Sequence, residues 1–192
     1  ENFDQQPSDV YAVRWTGGGG FGDPFDRAPE DIEQDLEDMA ITAEAAQQIY
    51  GAILDADGRV DVDATADARA RIRASRVNGS KPASRTGKKL YRISTTLDVR
   101  EDSSGRYWSC HKCEAQLGAL DDNYKHQCVR ESNPFKLANP LIGDPDLYID
   151  DEVEFRQFYC RGCGTLIDNE VAVTRDDVLA DICPAWQAAS VS

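Results

Sequence analysis

This chain has little of what would announce an enzyme. Its 192 residues hold two histidines and one methionine. Neither histidine sits in a recognisable acid–base or nucleophile pattern. No apolar run approaches the roughly 20 residues that a membrane helix needs, and no secretory signal pattern is present. Basic charge is also scarce: 21 Lys and Arg against 35 Asp and Glu leave a net charge of −14. Nucleic acid and membrane are therefore not expected partners, since phosphate contact needs a basic footprint. Six cysteines in a chain of this length do not suggest a disulfide scaffold, and their arrangement in Cys-x-x-Cys pairs favours a reducing cytoplasm. Residue 1 is Glu and the single methionine is Met39, so the sequence is expected to start at a processed or truncated end, or at the first ordered residue.

What the chain does have is a pair of Cys-x-x-Cys knuckles, Cys110-His111-Lys112-Cys113 and Cys160-Arg161-Gly162-Cys163, with 46 residues between them. Each knuckle bends the backbone so that two sulfurs face one point, and two knuckles supply the four corners of a tetrahedral zinc site. Cys110, Cys113, Cys160 and Cys163 are thus the expected ligands of a structural zinc ion, because four cysteines leave no open position for substrate. A thioredoxin-like redox pair would instead open a helix in a βαβ unit, whereas strand-like runs flank the second knuckle. Gly164 follows that knuckle and can take the left-handed conformation, while Glu114 occupies the matching position of the first knuckle at a steric cost. Cys128, Cys183, His111 and His126 are spare. The two cysteines read as small apolar residues, and His126 is the one spare residue with ligand potential.

Charge and turn residues divide the chain. Residues 1–63 carry 16 acidic and 3 basic side chains, residues 64–89 one acidic and 8 basic, and the remainder 18 acidic and 10 basic. The basic stretch reads first as a solvated helix face and linker. A strand is expected over Asp9–Trp15, followed by a glycine-rich turn, 16–24, which ends in Asp23-Pro24 rather than in the Gly-Lys-Ser/Thr of a phosphate loop. Pro29-Glu30-Asp31 opens a helix with Ile32, Leu36 and Met39 on its apolar face. Thr42 caps a helix from Ala43 to Tyr50. An Asp57-Gly58 turn joins a hairpin of Ala52–Leu54 and Val60–Val62, and Asp63 caps a helix from Ala64 to about Arg76. A linker spans 77–89. Strands are expected over Tyr91–Val99, Phe155–Tyr159 and Thr165–Val173, with Arg106–Ser109 leading into the first knuckle, residues 121–154 mostly loop and a short helix over Asp176–Asp181. The expected fold is α+β. A helical and hairpin segment, 1–76, precedes a small β-rich zinc ribbon, 90–183, and a tail, 184–192.

Two resemblances follow from these motifs. Thr16-Gly17-Gly18-Gly19-Gly20-Phe21-Gly22-Asp23-Pro24, Arg27-x-Pro29-Glu30, the helix ending Tyr50-Gly51 and Val60-Asp61-Val62-Asp63 resemble the C-terminal end of the hydantoinase B/oxoprolinase family. Cys110-x-x-Cys113, Phe155 to Gly164 and Asp176-Asp177-Val178-Leu179-Ala180-Asp181 are similar to the small gamma subunit of acetone and acetophenone carboxylases. Together they imply a non-catalytic, zinc-binding subunit of an ATP-dependent, biotin-independent ketone carboxylase. Its partners would be large hydantoinase A-like and B-like subunits, which would hold ATP with Mg2+ or Mn2+. The resemblance assigns no catalytic residue to this chain, and the N-terminal segment would dock on a partner subunit. Two other readings stay open: an ATP-dependent hydantoinase or 5-oxoprolinase-like amide hydrolase, and a zinc ribbon contacting nucleic acid through Arg69, Arg71, Arg73 and Arg76.

Overall fold

The computed structural model describes residues 6–10, 20–77, 79, 87–138 and 145–184. Most of the expected Asp9–Trp15 strand, of the 77–89 linker and of the tail lies outside the described residues. The rest is α+β, with three helices and two antiparallel sheets among the described residues. No described helix is long and apolar enough to cross a membrane.

The helices gather in the N-terminal part. Helix α1, Pro29–Glu37, starts with proline at its first turn, where the missing N–H costs nothing. Helix α2, Ala43–Gln48, is capped by the Thr42 hydroxyl, which accepts from the Ala45 N–H. Ile32, Ala46 and Ala52 form a small core with Leu36, Ile41, Tyr50 and Val60 packed around it. Met39 does not join it. The helix ends at Glu37, Met39 takes a φ of 56°, and its side chain points into solvent. The hairpin at Asp57-Gly58 is present as a single bridge between Leu54 and Val60. Helix α3, Val62–Arg76, begins two residues earlier than the Asp63 cap requires. Asp61 is the cap, its carboxylate accepting from the Ala64 N–H while its own N–H is held by the Ile53 carbonyl.

The first sheet runs in order β1 (Lys88–Arg92), β2 (Leu97–Asp102), β3 (Gly105–Cys110), β4 (Gln116–Ala119). The single strand expected over Tyr91–Val99 is two strands. Between them the Ser94 hydroxyl accepts from the N–H groups of Thr96 and Leu97, a local turn that outcompetes the ladder. The second sheet is β5 (Val129–Pro134), β6 (Val153–Tyr159), β7 (Leu166–Val173). Strand β5 lies inside the region expected to be loop. It pairs with β6 from Val129 opposite Tyr159 to Pro134 opposite Glu154. Residues 176–181 are not helical. Their carbonyls are already taken: the Arg156 guanidinium reaches those of Asp176 and Asp177, and the Asn123 amide those of Val178 and Leu179.

One apolar cluster joins the two sheets, built from Leu97, Val99, Trp108, Leu117, Leu120 and Tyr124 together with Cys110 and Cys160. The knuckles therefore sit at the edge of the main core. Beside it lies a buried ionic layer. Lys125, 2% exposed, meets Asp168, Glu170 and Asp181 at 2.8–3.2 Å. Arg156, 0% exposed, meets Glu154 and Glu170 and also donates to the Val173 and Thr174 carbonyls.

Candidate metal centre

Each knuckle is the turn of a β-hairpin, the first between β3 and β4 and the second between β6 and β7. The backbone closes each in the same way. Cys110 N–H donates to the Ala115 carbonyl at 2.9 Å, and Cys160 N–H to the Thr165 carbonyl at 2.8 Å. The hairpins bring Cys110, Cys113, Cys160 and Cys163 together, with all four sulfurs within 4.8 Å of one another. The Cys110–Cys163 sulfurs are 3.8 Å apart and those of Cys113 and Cys160 3.6 Å. Zinc–sulfur bonds of about 2.3 Å in a tetrahedron place sulfurs about 3.8 Å apart, whereas a disulfide needs about 2.05 Å. The residues thus fit a metal such as zinc.

The protonation chemistry agrees. Hydrogen bonding from Cys110 holds the Cys113 and Cys163 thiols below their ordinary value, and the same crowding pushes Cys110 and Cys160 above it. Four thiolates this close need a cation among them, and binding one releases the remaining protons. Polar neighbours hold the sulfurs: the Gly162 N–H donates to the Cys160 sulfur at 3.3 Å, and the Cys163 thiol donates to the Thr165 hydroxyl oxygen at 3.2 Å.

Among the described residues, no spare candidate joins this cluster. His111 turns its Nδ1 to the fully buried Asp98 carboxylate at 2.9 Å. His126 is exposed on a short 3-10 turn. Cys128 packs against the main core, as its apolar reading predicts, and burial pushes its thiol up to about 12. Cys183 is exposed rather than buried.

Sequence reasoning missed what grips the second knuckle from outside. The Asp23 carboxylate, at the end of the glycine-rich turn, accepts from the Leu166 N–H at 3.2 Å, from the Phe25 N–H and from Arg73. Arg76 lies between the Phe25 and Tyr159 rings, 4.7 and 4.2 Å from their centres, and donates to the Gly164 carbonyl at 3.2 Å. Gly164 touches the backbone of α3 so closely that a Cβ there would stand 2.1 Å from the Arg73 carbonyl oxygen. On the first knuckle, Lys112 pairs with Asp26 at 2.9 Å. Three of the four arginines of α3 therefore do not form the solvated face that composition suggests. Arg69 is buried and donates to the Tyr50 and Arg27 carbonyls, and Arg73 and Arg76 bind within the molecule, while Arg71 is exposed. Of the four arginines, Arg71 alone is exposed, which leaves little of this helix for phosphate contact.

The family model described as "Acetone carboxylase gamma subunit" matches residues 88–189, which begin with β1 and include both knuckles. The acetophenone carboxylase beta subunit of Aromatoleum aromaticum is 32% identical over 94 residues, covering 47% of this chain and 71% of that protein. The acetone carboxylase alpha subunit of Xanthobacter autotrophicus is 40% identical over 80 residues, 40% of this chain and 10% of that protein. The acetophenone carboxylase delta subunit of A. aromaticum is 47% identical over 55 residues, 28% of this chain and 8% of that protein. The chain thus spans small parts of the alpha and delta relatives and most of the beta relative. On its sequence and on these matches, the chain belongs to the acetone carboxylase gamma subunit family.

Proposed function

We propose that this chain is a non-catalytic, zinc-binding structural subunit of a multi-subunit carboxylase. The complex joins bicarbonate to a ketone of the acetone or acetophenone type, with ATP and without biotin, giving a 3-oxo acid. The observation that carries this reading is the set of four sulfurs at zinc distances on two hairpin tips, in a chain of the carboxylase gamma family. Cys110, Cys113, Cys160 and Cys163 are the ligands. Zinc bound there supplies the cross-link that small sheets with one modest core otherwise lack. ATP, its Mg2+ or Mn2+ and the carbon–carbon bond formation belong to large hydantoinase-type partners in the cytoplasm.

In this reading residues 90–183 are the ribbon, 77–89 the linker and 184–192 the tail. Residues 1–76 are a hydantoinase B-like terminal segment. The acidic side chains Glu30, Asp31, Glu33 and Glu37 of α1 provide a charged surface for a partner subunit. The test is metal content and subunit composition on the same natively purified material, followed by turnover with labelled bicarbonate. One zinc per chain, large partners and label in the product support the reading. ATP-driven opening of an amide ring without label would give the complex to the hydrolase class instead. A metal-free chain without partners would sink both.

A further inference from the structure

Among the described residues, the N-terminal segment touches both knuckles at or close to a ligand. Tyr159 immediately precedes Cys160, Gly164 follows Cys163, Leu166 opens β7, and Lys112 lies inside the first knuckle. The gripping groups come from two places far apart in sequence, the Asp23–Asp26 turn and the C-terminal half of α3. They are tied to each other as well: Arg73 reaches Asp23 at 2.8 Å and Asp26 at 3.0 Å. Asp23, almost wholly buried, is the joint, since one carboxylate binds the turn, the helix and β7.

We infer that the Asp23 turn and the end of α3 form a clasp over the second knuckle, so that metal retention and docking of the N-terminal segment are one coupled equilibrium. The inference rests on the zinc reading above. The coupling is reciprocal by linkage: whatever the metal adds to docking, docking adds to metal affinity. The contact at Gly164 transmits it. A knuckle that relaxes after metal loss shifts the Gly164 backbone, which lies against the Arg73 carbonyl with no room for a side chain. The same movement pulls the Gly164 carbonyl from Arg76 and the Leu166 N–H from Asp23. The clasp also slows release, because the second knuckle must open against the helix that covers it.

The test uses the full zinc-loaded chain. Amide hydrogen exchange is followed across residues 62–76 before and after zinc is stripped by a chelator. Separately, zinc transfer to a colorimetric chelator is timed for the parent chain and for Asp23→Asn, Arg76→Ala and Arg71→Ala. Stripping is expected to abolish protection of α3. The first two variants should release zinc roughly 10–100-fold faster, the range for residues that support metal ligands. Arg71→Ala, on the exposed side of the same helix, should match the parent. Unchanged α3 protection in the stripped chain, or release rates equal in all four proteins, overturns the clasp and leaves the zinc reading intact. A chain that takes up no zinc at all overturns both.

Discussion

Glu114 and Gly164 occupy equivalent places in the two knuckles, with φ values of 60° and 70°, and each donates its N–H to the carbonyl of the first cysteine, at 2.9 and 2.8 Å. The left-handed turn is thus built once with glycine and once against a steric penalty of about 1–2 kcal/mol. Glu114 offsets part of that by an ion pair with Arg100 at 2.6 Å.

The two positions should therefore answer differently to substitution. Glu114→Gly relieves the backbone by about 1–2 kcal/mol and loses an ion pair between the half-exposed Glu114 and the largely buried Arg100, a loss of similar size, so stability should stay within about 1 kcal/mol of the parent. Gly164→Ala adds the backbone penalty and a collision with the Arg73 carbonyl, so it should lose at least about 2 kcal/mol. Urea denaturation of the zinc-loaded chains checks both; equal losses at the two sites would contradict the assignment.

Cys160→Ser should cost the chain its zinc and, with it, its place in the complex. Binding of structural zinc is worth about 10–16 kcal/mol in small domains, more than two modest sheets supply by themselves. Elemental analysis with size-exclusion chromatography of co-expressed subunits is the check. Assembly that survives without metal would show that the ion is dispensable.

Alkylation should sort the six cysteines. In the zinc-loaded chain Cys183 is exposed and should react, whereas Cys128 stays protonated, its thiol pushed up to about 12 by burial. The four ligands should react only after chelation. Intact mass after iodoacetamide treatment should show a single adduct before chelation and at least five after it. Several adducts on the zinc-loaded chain would mean that the knuckle sulfurs are not metal-bound.

Much of the cysteine cluster was legible because Cys-x-x-Cys spacing is a local property. The knuckles, the strands beside the second of them and even the awkward Glu114 can be read off neighbouring residues. Strand β5 was not, because Arg130, Glu131, Ser132 and Asn133 are polar and show no alternation; the strand exists through its pairing with β6. The clasp was equally hidden. Nothing near Arg73 or Arg76 in sequence names Asp23 or Tyr159 as a partner, and composition alone makes those arginines look solvated. Local hydrogen bonding misled in the other direction at Ser94, where a run of strand formers breaks for a hydroxyl.

Arg156→Met should be among the most damaging substitutions away from the cysteines. It leaves Glu154 and Glu170 short of their cation and several carbonyls without a donor, a loss of about 3–5 kcal/mol by analogy with broken buried ion pairs. Thermal unfolding of the zinc-loaded chain would measure it. A change below about 1 kcal/mol would mean that the guanidinium is solvated in solution.

The same guanidinium sets an order on synthesis. Arg156 leaves the ribosome before every carbonyl that will accept from it, since those of Val173, Thr174, Asp176 and Asp177 come later in the chain. A nascent chain ending within β7 would have to bury a cation without its full set of acceptors, and the sheet should stay uncommitted until residue 177 has emerged. Chains released after truncation at residues 170 and 184 should then differ sharply in protease resistance. A fold built on two separate sheets would thus close late, from its C-terminal side.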